Sequence, residues 1–331
     1  MSKIDFSKAL DCLAEARSIV ITCHTRCDGD SLGSAAGLAQ ILEAKGKSSE
    51  IILPSPFPSR YAFLFSEDPP RVIQDDWREA SLEAFDTAVV LDASVRAQLR
   101  PQFDFLISAE MQLLVIDHHL THERIGTANI IDPTASSVGL LIAELAQAWS
   151  VDIEPRTADS LFTAMASDTG WFRFPSTDSR TYQQAWQLTQ AGAKPAGVYE
   201  NLHMRANPGR IMLLARALGS LELLCGGRLA YMSLLPQDFQ QAQAQPSDTE
   251  DLVNEPLRIG SVEVAVMLIE DQPGSVRLSL RSKRQVDVAR IAEGFGGGGH
   301  SRAAGFQFAG SVSQGKQQII SALSEELSSH I

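Results

Sequence analysis

This chain has few cysteines, no surplus of basic charge and no long apolar run, and each shortage removes a class of function. Its four cysteines, Cys12, Cys23, Cys27 and Cys225, follow neither a disulfide-framework spacing nor a Cys-x-x-Cys pattern. That excludes a disulfide-stapled scaffold and fits a reduced, cytoplasmic setting. Lys and Arg number 28 against 40 Asp and Glu, a formal net charge of −12. Long nucleic acid is gripped by a basic face, so a long duplex is not an expected partner. A small phosphorylated substrate needs only a local positive site and is not excluded. No stretch approaches the roughly 18 uncharged apolar residues of a membrane span, so no membrane partner is expected. Charged residues from Lys3 onward leave no apolar core for a signal peptide. With 44% hydrophobic and 21% charged residues over 331 positions, the chain reads as a cytosolic globular protein large enough for two domains.

What is present is an alternation of strand-like and helix-like segments. Short β-rich runs at Ser18–Thr22, Glu50–Leu53, Thr87–Leu91 and Leu113–Ile116 are separated by helical patterns. The helices are expected near Ser31–Ala44, Ser137–Ala148, Thr157–Ser167 and Arg180–Thr189. Strands alternating with helices imply a mostly parallel sheet covered on both faces, an α/β domain over residues 1–190. Glycines and prolines from Gly192 to Gly209 then break the pattern, and residues 191–215 read as a linker. A smaller α/β domain is expected over 216–331. It opens on a helix near Ile211–Leu224 and continues with β-rich runs at Leu229–Leu235, Val262–Ile269 and Val276–Leu280. Gln272-Pro273-Gly274 joins the last two as a hairpin turn. Residues Gln237–Glu250, rich in Gln, read as an exposed loop or short polar helix.

The polar residues concentrate where strands end. His118 and His119 follow Asp117 directly after the apolar run Met111–Ile116. Ligands of open α/β sheets bind at those carboxyl ends. Two imidazoles and a carboxylate there are costly to bury unless they hold a metal or hydrogen-bond one another. After the first strand comes His24-Thr25-Arg26-Cys27-Asp28-Gly29-Asp30-Ser31, in which Asp28 and Asp30 alternate across Gly29. Asp30 or Ser31 also suits a helix cap, which leaves His24 and Asp28 unexplained. Asp92 ends the Ala88–Leu91 run, and Asp168 precedes Thr169-Gly170; singly, each is an ordinary turn or helix-end residue. Together they form a set of Asp and His donors that suits Mn²⁺ or Mg²⁺, with Zn²⁺, Co²⁺ or Fe²⁺ as alternatives. About seven donors are too many for one ion and enough for two, the arrangement that stabilises in-line displacement at phosphorus. Cys23 and Cys27 flank His24 in a spacing foreign to zinc sites and read as packing residues.

His24-x-x-x-Asp28-x-Asp30, Asp92 after a strand, Asp117-His118-His119 and Ser167-Asp168-Thr169-Gly170 resemble the four motifs of the DHH phosphoesterases. Gly296-Gly297-Gly298-Gly299-His300 with Ala303-Ala304-Gly305 resembles the signature of the associated DHHA1 domain. The motifs occur in order from residue 24 to residue 305. Length and layout are most similar to the bacterial nanoRNase and pAp phosphatase group. The resemblance implies an α/β DHH catalytic domain and a DHHA1 substrate-binding domain with the active site in the cleft between them. It implies two divalent ions, Mn²⁺ first and Mg²⁺ or Co²⁺ as alternatives. His24, Asp28 and Asp92 would hold one; Asp30, Asp92, His118 and Asp168 the other. Asp117 would support the site and His119 would face the scissile phosphate. Cys27 departs from the family pattern, where many members have Pro.

The last third concentrates basic residues: Arg277, Arg281, Lys283, Arg284, Arg290 and Arg302 fall within 26 positions. Consecutive glycines let backbone N–H groups turn toward an anion, and the glycine run is expected to open an Ala-rich helical turn whose N-terminus adds to that effect. Arg281, Ser282, Lys283, Gly298, Gly299 and His300 are therefore the expected clamp on the nucleotide end distal to the reaction. Ser136 and Ser137 open a helix and suit either N-capping or a substrate contact. The implied activity is hydroxide attack at phosphorus on short single-stranded oligoribonucleotides, linear dinucleotides such as pGpG, or pAp, in a protein that could be a homodimer. Alternatives are a cyclic-dinucleotide phosphodiesterase, a pyrophosphatase, or a catalytically silent nucleotide-binding regulator.

Overall fold

The computed structural model describes residues 4–329 apart from 26, 66–68, 75, 101, 110 and 273, and omits the side chains of 271, 272, 300 and 329. The chain forms two compact units, Met1–Arg205 and Ala206–Ile331.

The first unit runs α1 (Ser7–Glu15), β1 (Ser18–Cys23), α2 (Gly29–Ala44), β2 (Ser48–Leu53), β3 (Arg71–Val72), β4 (Thr87–Leu91), α3 (Gln102–Ser108), β5 (Gln112–Asp117), β6 (Ala128–Ile131), α4 (Val138–Ala148), α5 (Pro155–Asp168), α6 (Ser179–Gln190) and α7 (Pro195–His203). Its six strands pair in the order β3-β2-β1-β4-β5-β6, all parallel. Strand alternation divides the apolar residues between two cores. Ile19, Ile21, Cys23, Val89 and Leu91 join the core beneath α1, α2, α4 and α5, whereas Val20, Ala88, Val90 and Trp77 form the core of the opposite face. Strands apolar on both faces are those of a doubly covered parallel sheet. The strand order reverses between β1 and β4, and that switch point is where an open α/β sheet leaves a crevice at its carboxyl edge.

Glycine sets how close α2 and α5 come. A Cβ on Gly29 would lie 2.0 Å from Ser167 Oγ, one on Gly33 2.6 Å from the Ser160 carbonyl, and one on Gly37 2.5 Å from Leu161. This i, i+4 stripe lets the start of α2, with Asp30, approach the end of α5, with Asp168.

The second unit comprises α8 (Pro208–Gly219), β7 (Glu222–Leu224), β8 (Leu229–Leu234), α9 (Pro236–Ala242), β9 (Val264–Gln272), β10 (Ser275–Ser282), α10 (Val288–Glu293), β11 (Gly298–His300), β12 (Ala303–Ala309) and α11 (Val312–Ser329). Its sheet is mixed, in the order β11-β12-β10-β9-β8-β7, with β8 and β9 parallel and the other pairs antiparallel. Val264, Val266 and Leu268 face a core with α10 and α11; Ala265, Met267 and Ile269 face one with α8 and α9.

Several local expectations are corrected. The helix expected over Ile211–Leu224 ends at Gly219, and Glu222–Leu224 pair with β8. The expected connection over 191–215 holds α7 and the greater part of α8. Residues 237–250 begin within the short helix α9, one of the two expected forms, but are not simply exposed, since Phe239, Ala242, Ala244, Asp248 and Thr249 are buried. The expected helical turn at Ala303–Gly305 is strand β12, in register with β10 from Ala303 opposite Arg281 to Ala309 opposite Ser275. Alternating burial of Ala304 and Phe306 fits a strand, and a main-chain ladder on both sides outweighs alanine's helical preference. Pro273, in the expected hairpin turn, lies outside the described residues.

Candidate metal centre

His24 follows β1, Asp92 follows β4 and Asp117 ends β5, so the carboxyl ends of three adjacent strands deliver the first donors. Asp92 has φ 59°, a left-handed conformation uncommon for a residue with a side chain. Its N–H still donates to Ile116 O at 3.0 Å, so the ladder continues until the residue where the chain turns. Strain of this kind gathers at functional sites.

Asp28 caps α2, accepting from Asp30 N at 3.1 Å and Ser31 N at 3.0 Å, while Ser31 Oγ accepts from Asp28 N at 2.9 Å. The cap expected at Asp30 or Ser31 therefore belongs to Asp28. Asp30 lies inside the first turn and reaches a different helix. Its carboxylate accepts from Val138 N at 2.7 Å and Gly139 N at 2.9 Å, the N-terminus of α4, and from Ser34 Oγ at 3.2 Å. Helix N-termini favour anions, which accounts for a carboxylate only 1% exposed.

Among the described residues, donor atoms gather in three overlapping groups, each within 4.8 Å: His24, Asp28 and Asp92; Asp30, His118 and Asp168; Asp92, His118 and His119. His24 Nε2 lies 3.8 Å from Asp28 Oδ1 and 3.4 Å from Asp92 Oδ2. His118 places Nδ1 3.1 Å from Ala135 O and turns Nε2 toward Asp168 (3.5 Å), Asp92 (3.6 Å) and Asp30 (3.8 Å). His119 Nδ1 is bonded to Asp117 Oδ1 at 2.7 Å. Asp117 is fully buried and also accepts from Ser94 Oγ and from His118 N at 2.8 Å. It holds the two histidines and belongs to none of the three groups.

Electrostatics show what this costs. Burial opposes charge on His24, but Asp28 and Asp92 overcome it and push its pKa well up. Burial raises Asp28 too, and the hydrogen bond and charge of His24 together with hydrogen bonds from Ser31 outweigh it, bringing Asp28 to about 2. Burial, then the charges of Asp92 and Asp168, push Asp30 well above the usual carboxylate range. Asp168 is raised by desolvation, with Asp92 and Asp28 adding to it, to about 7. His118, disfavoured by burial, is lifted by Asp30, Asp168 and Asp92 to about 9. Burial also opposes His119, which Asp117 raises. Asp92 Oδ1 is fully buried and, among the described residues, accepts no hydrogen bond, with His118 Nε2 and His119 Nδ1 each 3.6 Å away. A buried carboxylate oxygen without a hydrogen bond, crowded by other carboxylates, favours a cation beside it. Oxygen and imidazole donors without thiolates fit hard or borderline divalent ions.

Directly beyond Asp168, Gly170, Trp171 and Phe172 all have positive φ (55°, 63° and 60°). Trp171 is held by Phe162 and Tyr199, ring centroids 6.0 and 4.9 Å away. The Phe174 ring lies on Gly170, where a Cβ would meet it at 2.4 Å, yet Phe174 is 50% exposed. Sequence reasoning missed this ring, although the run Trp171-Phe172-Arg173-Phe174 beside a donor residue was a usable signal.

In the second unit, β10 alternation puts Arg277, Ser279 and Arg281 on the face opposite the buried Val276, Leu278 and Leu280. Arg281 donates to Leu280 O at 3.0 Å, and desolvation lowers its pKa against the charges of Asp251 and Glu250. Ser282 Oγ donates to Val286 O at 2.7 Å and Lys283 Nζ to Ile259 O at 2.6 Å, so both donors already serve the fold. Gly298 and Gly299 are strand residues paired with Gly305 and Ala304. Gly299 has φ 145°, and a Cβ there would lie 2.4 Å from Ala303 O. His300 ends β11, and its side chain lies outside the described part. Ser137 caps α4, accepting from Leu140 N at 3.1 Å, and Ser136 Oγ accepts from Thr181 Oγ1 at 2.9 Å.

Two domain families match: DHH family, N-terminal domain, over residues 18–167, and DHHA1 domain over residues 226–329. The chain is 29% identical over 317 residues to the bifunctional oligoribonuclease and PAP phosphatase NrnA of Thermus thermophilus, covering 93% of this chain and 90% of that one. The protein of the same description from Bacillus subtilis is 26% identical over 294 residues, with 87% and 88% covered. Among solved structures, an exopolyphosphatase-related protein from Bacteroides fragilis has a TM-score of 0.92 at 25% identity, covering 98% of each chain. With the motifs, the domain matches and the fold in agreement, the chain carries a DHH family N-terminal domain and a DHHA1 domain.

Proposed function

We propose that this protein is a divalent-metal-dependent phosphoesterase that trims oligoribonucleotides of a few nucleotides, linear dinucleotides included, and removes the 3′-phosphate of pAp. The observation that carries this reading is the convergence of His24, Asp28, Asp30, Asp92, His118 and Asp168 at one strand edge, with the buried Asp92 Oδ1 accepting no hydrogen bond among the described residues. His24, Asp28 and Asp92 would hold one ion; Asp30, His118, Asp168 and Asp92 a second, with Mn²⁺ the preferred metal and Mg²⁺ or Co²⁺ substituting. When bound, such ions supply Lewis-acid charge at a phosphoryl centre and make a coordinated water more acidic.

The chain's own residues do the rest. Asp117 holds the His119 ring through Nδ1, which supports a role for Nε2 toward the scissile phosphate, as donor to an oxygen gaining charge. Phe174, one ring face on Gly170 and half exposed beside Asp168, is the stacking surface for a nucleobase. Arg281, backed by Gly298, Gly299 and His300, takes the phosphate distal to the reaction, with Ser282 and Lys283 shaping its strand end. The NrnA relatives are named for both activities, which supports assigning both here. A net charge of −12 supports short substrates over long duplexes. The reading includes a cytoplasmic setting and a homodimer.

The test is a Mn²⁺-dependent assay on end-labelled RNA of two to five nucleotides, an RNA of about two dozen nucleotides, and pAp. Release of mononucleotides from the short pieces, with pAp dephosphorylated and the long RNA slow, is expected. If all three stay intact while pyrophosphate or a cyclic dinucleotide is cleaved, the substrate class is wrong. Tight pAp binding without any turnover would establish the silent regulator instead.

A further inference from the structure

Cys23 and Cys27 stand on either side of the donor His24, and neither takes part in the chemistry proposed above. Their sulfurs are 3.4 Å apart. Cys23, the last residue of β1, is fully buried, whereas Cys27 retains 7% exposure. Cys27 Sγ also donates to His24 O at 3.4 Å and lies 3.8 Å from Ser55 Oγ. A disulfide has an S–S length of about 2.05 Å, so the pair needs only a small approach to bond. We propose that Cys23 and Cys27 are an oxidative modification site: a hydroperoxide converts them to an intrachain disulfide that disarms the His24–Asp28–Asp92 donor group.

The chemistry balances with one peroxide. The Cys27 sulfur, the more accessible of the two, gives up its proton and attacks one peroxide oxygen. An S–O bond forms, the O–O bond breaks and hydroxide leaves to become water. Sulfur is oxidised to a sulfenic acid and the peroxide is reduced. The Cys23 sulfur then attacks the sulfenic sulfur; the S–S bond forms, the S–O bond breaks and a second water leaves with the remaining proton. Two thiols and one hydrogen peroxide thus give one disulfide and two waters.

The consequence follows from how the loop is held. Cys23 O accepts from Gln102 Nε2 at 2.8 Å, Thr25 N donates to Gln98 O at 3.3 Å, and Thr25 O accepts from Ser55 Oγ at 2.6 Å. With those anchors in place, drawing Cys27 toward Cys23 moves its neighbour Asp28, whose carboxylate is both a donor and the α2 cap. His24 lies between the bonded residues and shifts with them. Because binding linkage is reciprocal, an ion on this donor group must oppose disulfide formation by the factor that the disulfide weakens the ion. This part rests on the metal reading; the thiol chemistry does not.

The full-length protein, chelator-treated or saturated with Mn²⁺, is exposed to hydrogen peroxide, alkylated and mapped by peptide mass spectrometry. A Cys23–Cys27 linkage that thioreductant reverses is expected, and its equilibrium in a glutathione redox buffer should shift about tenfold toward the thiols with Mn²⁺. Calorimetry should show weaker Mn²⁺ binding to the oxidised form. Cys27→Ser should abolish the linkage, and a Cys12→Ser, Cys225→Ser double variant should retain it. Should both thiols stay alkylatable, or go separately to sulfinic acids, the modification site is overturned even if the enzyme is active. A thiol–disulfide equilibrium that is the same with and without Mn²⁺ would overturn the coupling to the donor group.

Discussion

The acidic donors of the first unit and the basic residues of the second receive opposite treatment. In the first, Asp30, Asp92 and Asp168 are gathered around His118, and among the described residues Asp92 Oδ1 accepts no hydrogen bond. In the second, Ser282 and Lys283 already donate to Val286 and Ile259 carbonyls, and Arg281 to Leu280. Concentrated like charge destabilises the fold unless a cation neutralises it; hydrogen-bonded cations stabilise their strand ends with or without a ligand. A donor set that conflicts with the stability of its own fold reports a ligand more strongly than a charged strand end that has satisfied itself.

The comparison is best broken at Asp92. Asp92→Ala should lower turnover of pAp and of dinucleotides by about a thousandfold or more, because Lewis-acid stabilisation is worth several kcal/mol at about 1.4 kcal/mol per decade. Activity within tenfold of the parent in a steady-state assay would sink the assignment. Arg281→Ala should raise KM by about tenfold to a hundredfold with kcat nearly kept, the worth of a charged hydrogen bond. A fall confined to kcat would remove it from the clamp. Phe174→Ala should raise KM about tenfold for nucleotides and leave a base-free phosphoester unaffected, in line with stacking energies; equal losses on both would refute stacking. Lys283→Ala should leave KM unchanged and lower Tm slightly, since its ammonium ties Lys283 to Ile259.

The smallest effect, a few degrees in Tm, concerns the metal-free protein. Asp168 is raised to about 7 from the ordinary 3.8, and His118 to about 9 from 6.5. In both cases the folded state holds protons that the unfolded chain has released, so stability falls as pH rises through about 4 to 9. Asp28, lowered to about 2, works the other way, below pH 4. Calorimetry of chelated protein should therefore show Tm falling from pH 5 to pH 9, with Mn²⁺ restoring most at the alkaline end. A flat profile would mean that the carboxylates do not feel one another as their geometry requires.

The parallel sheet was legible because its strands are apolar on both faces, and the gathering of Asp and His was legible because they recur at strand ends. Local preference misled where pairing decided: Ala303-Ala304-Gly305 favours a helix by composition, yet lies between two ladders as β12. It misled again at the α2 cap, where Asp28 and not Asp30 or Ser31 caps the helix, sending Asp30 to the N-terminus of α4 over a hundred residues away in sequence. The aromatic run Trp171–Phe174 was readable in the sequence, but the placing of the half-exposed Phe174 ring on Gly170 was not, since it depends on three successive left-handed residues.

The sequence by itself determined which Asp and His side chains stand at strand ends, and that strands alternate with helices in the first half. Periodicity and side-chain chemistry are local properties and survive in one dimension. The tertiary structure alone decided that the β1–β4 reversal puts His24 beside Asp92, that glycines bring Asp30 to Asp168, and that Asp117 serves the histidines without joining a donor group. These are distances between residues remote in the chain, fixed by strand order and by how closely two helices can pack, and no local pattern encodes them.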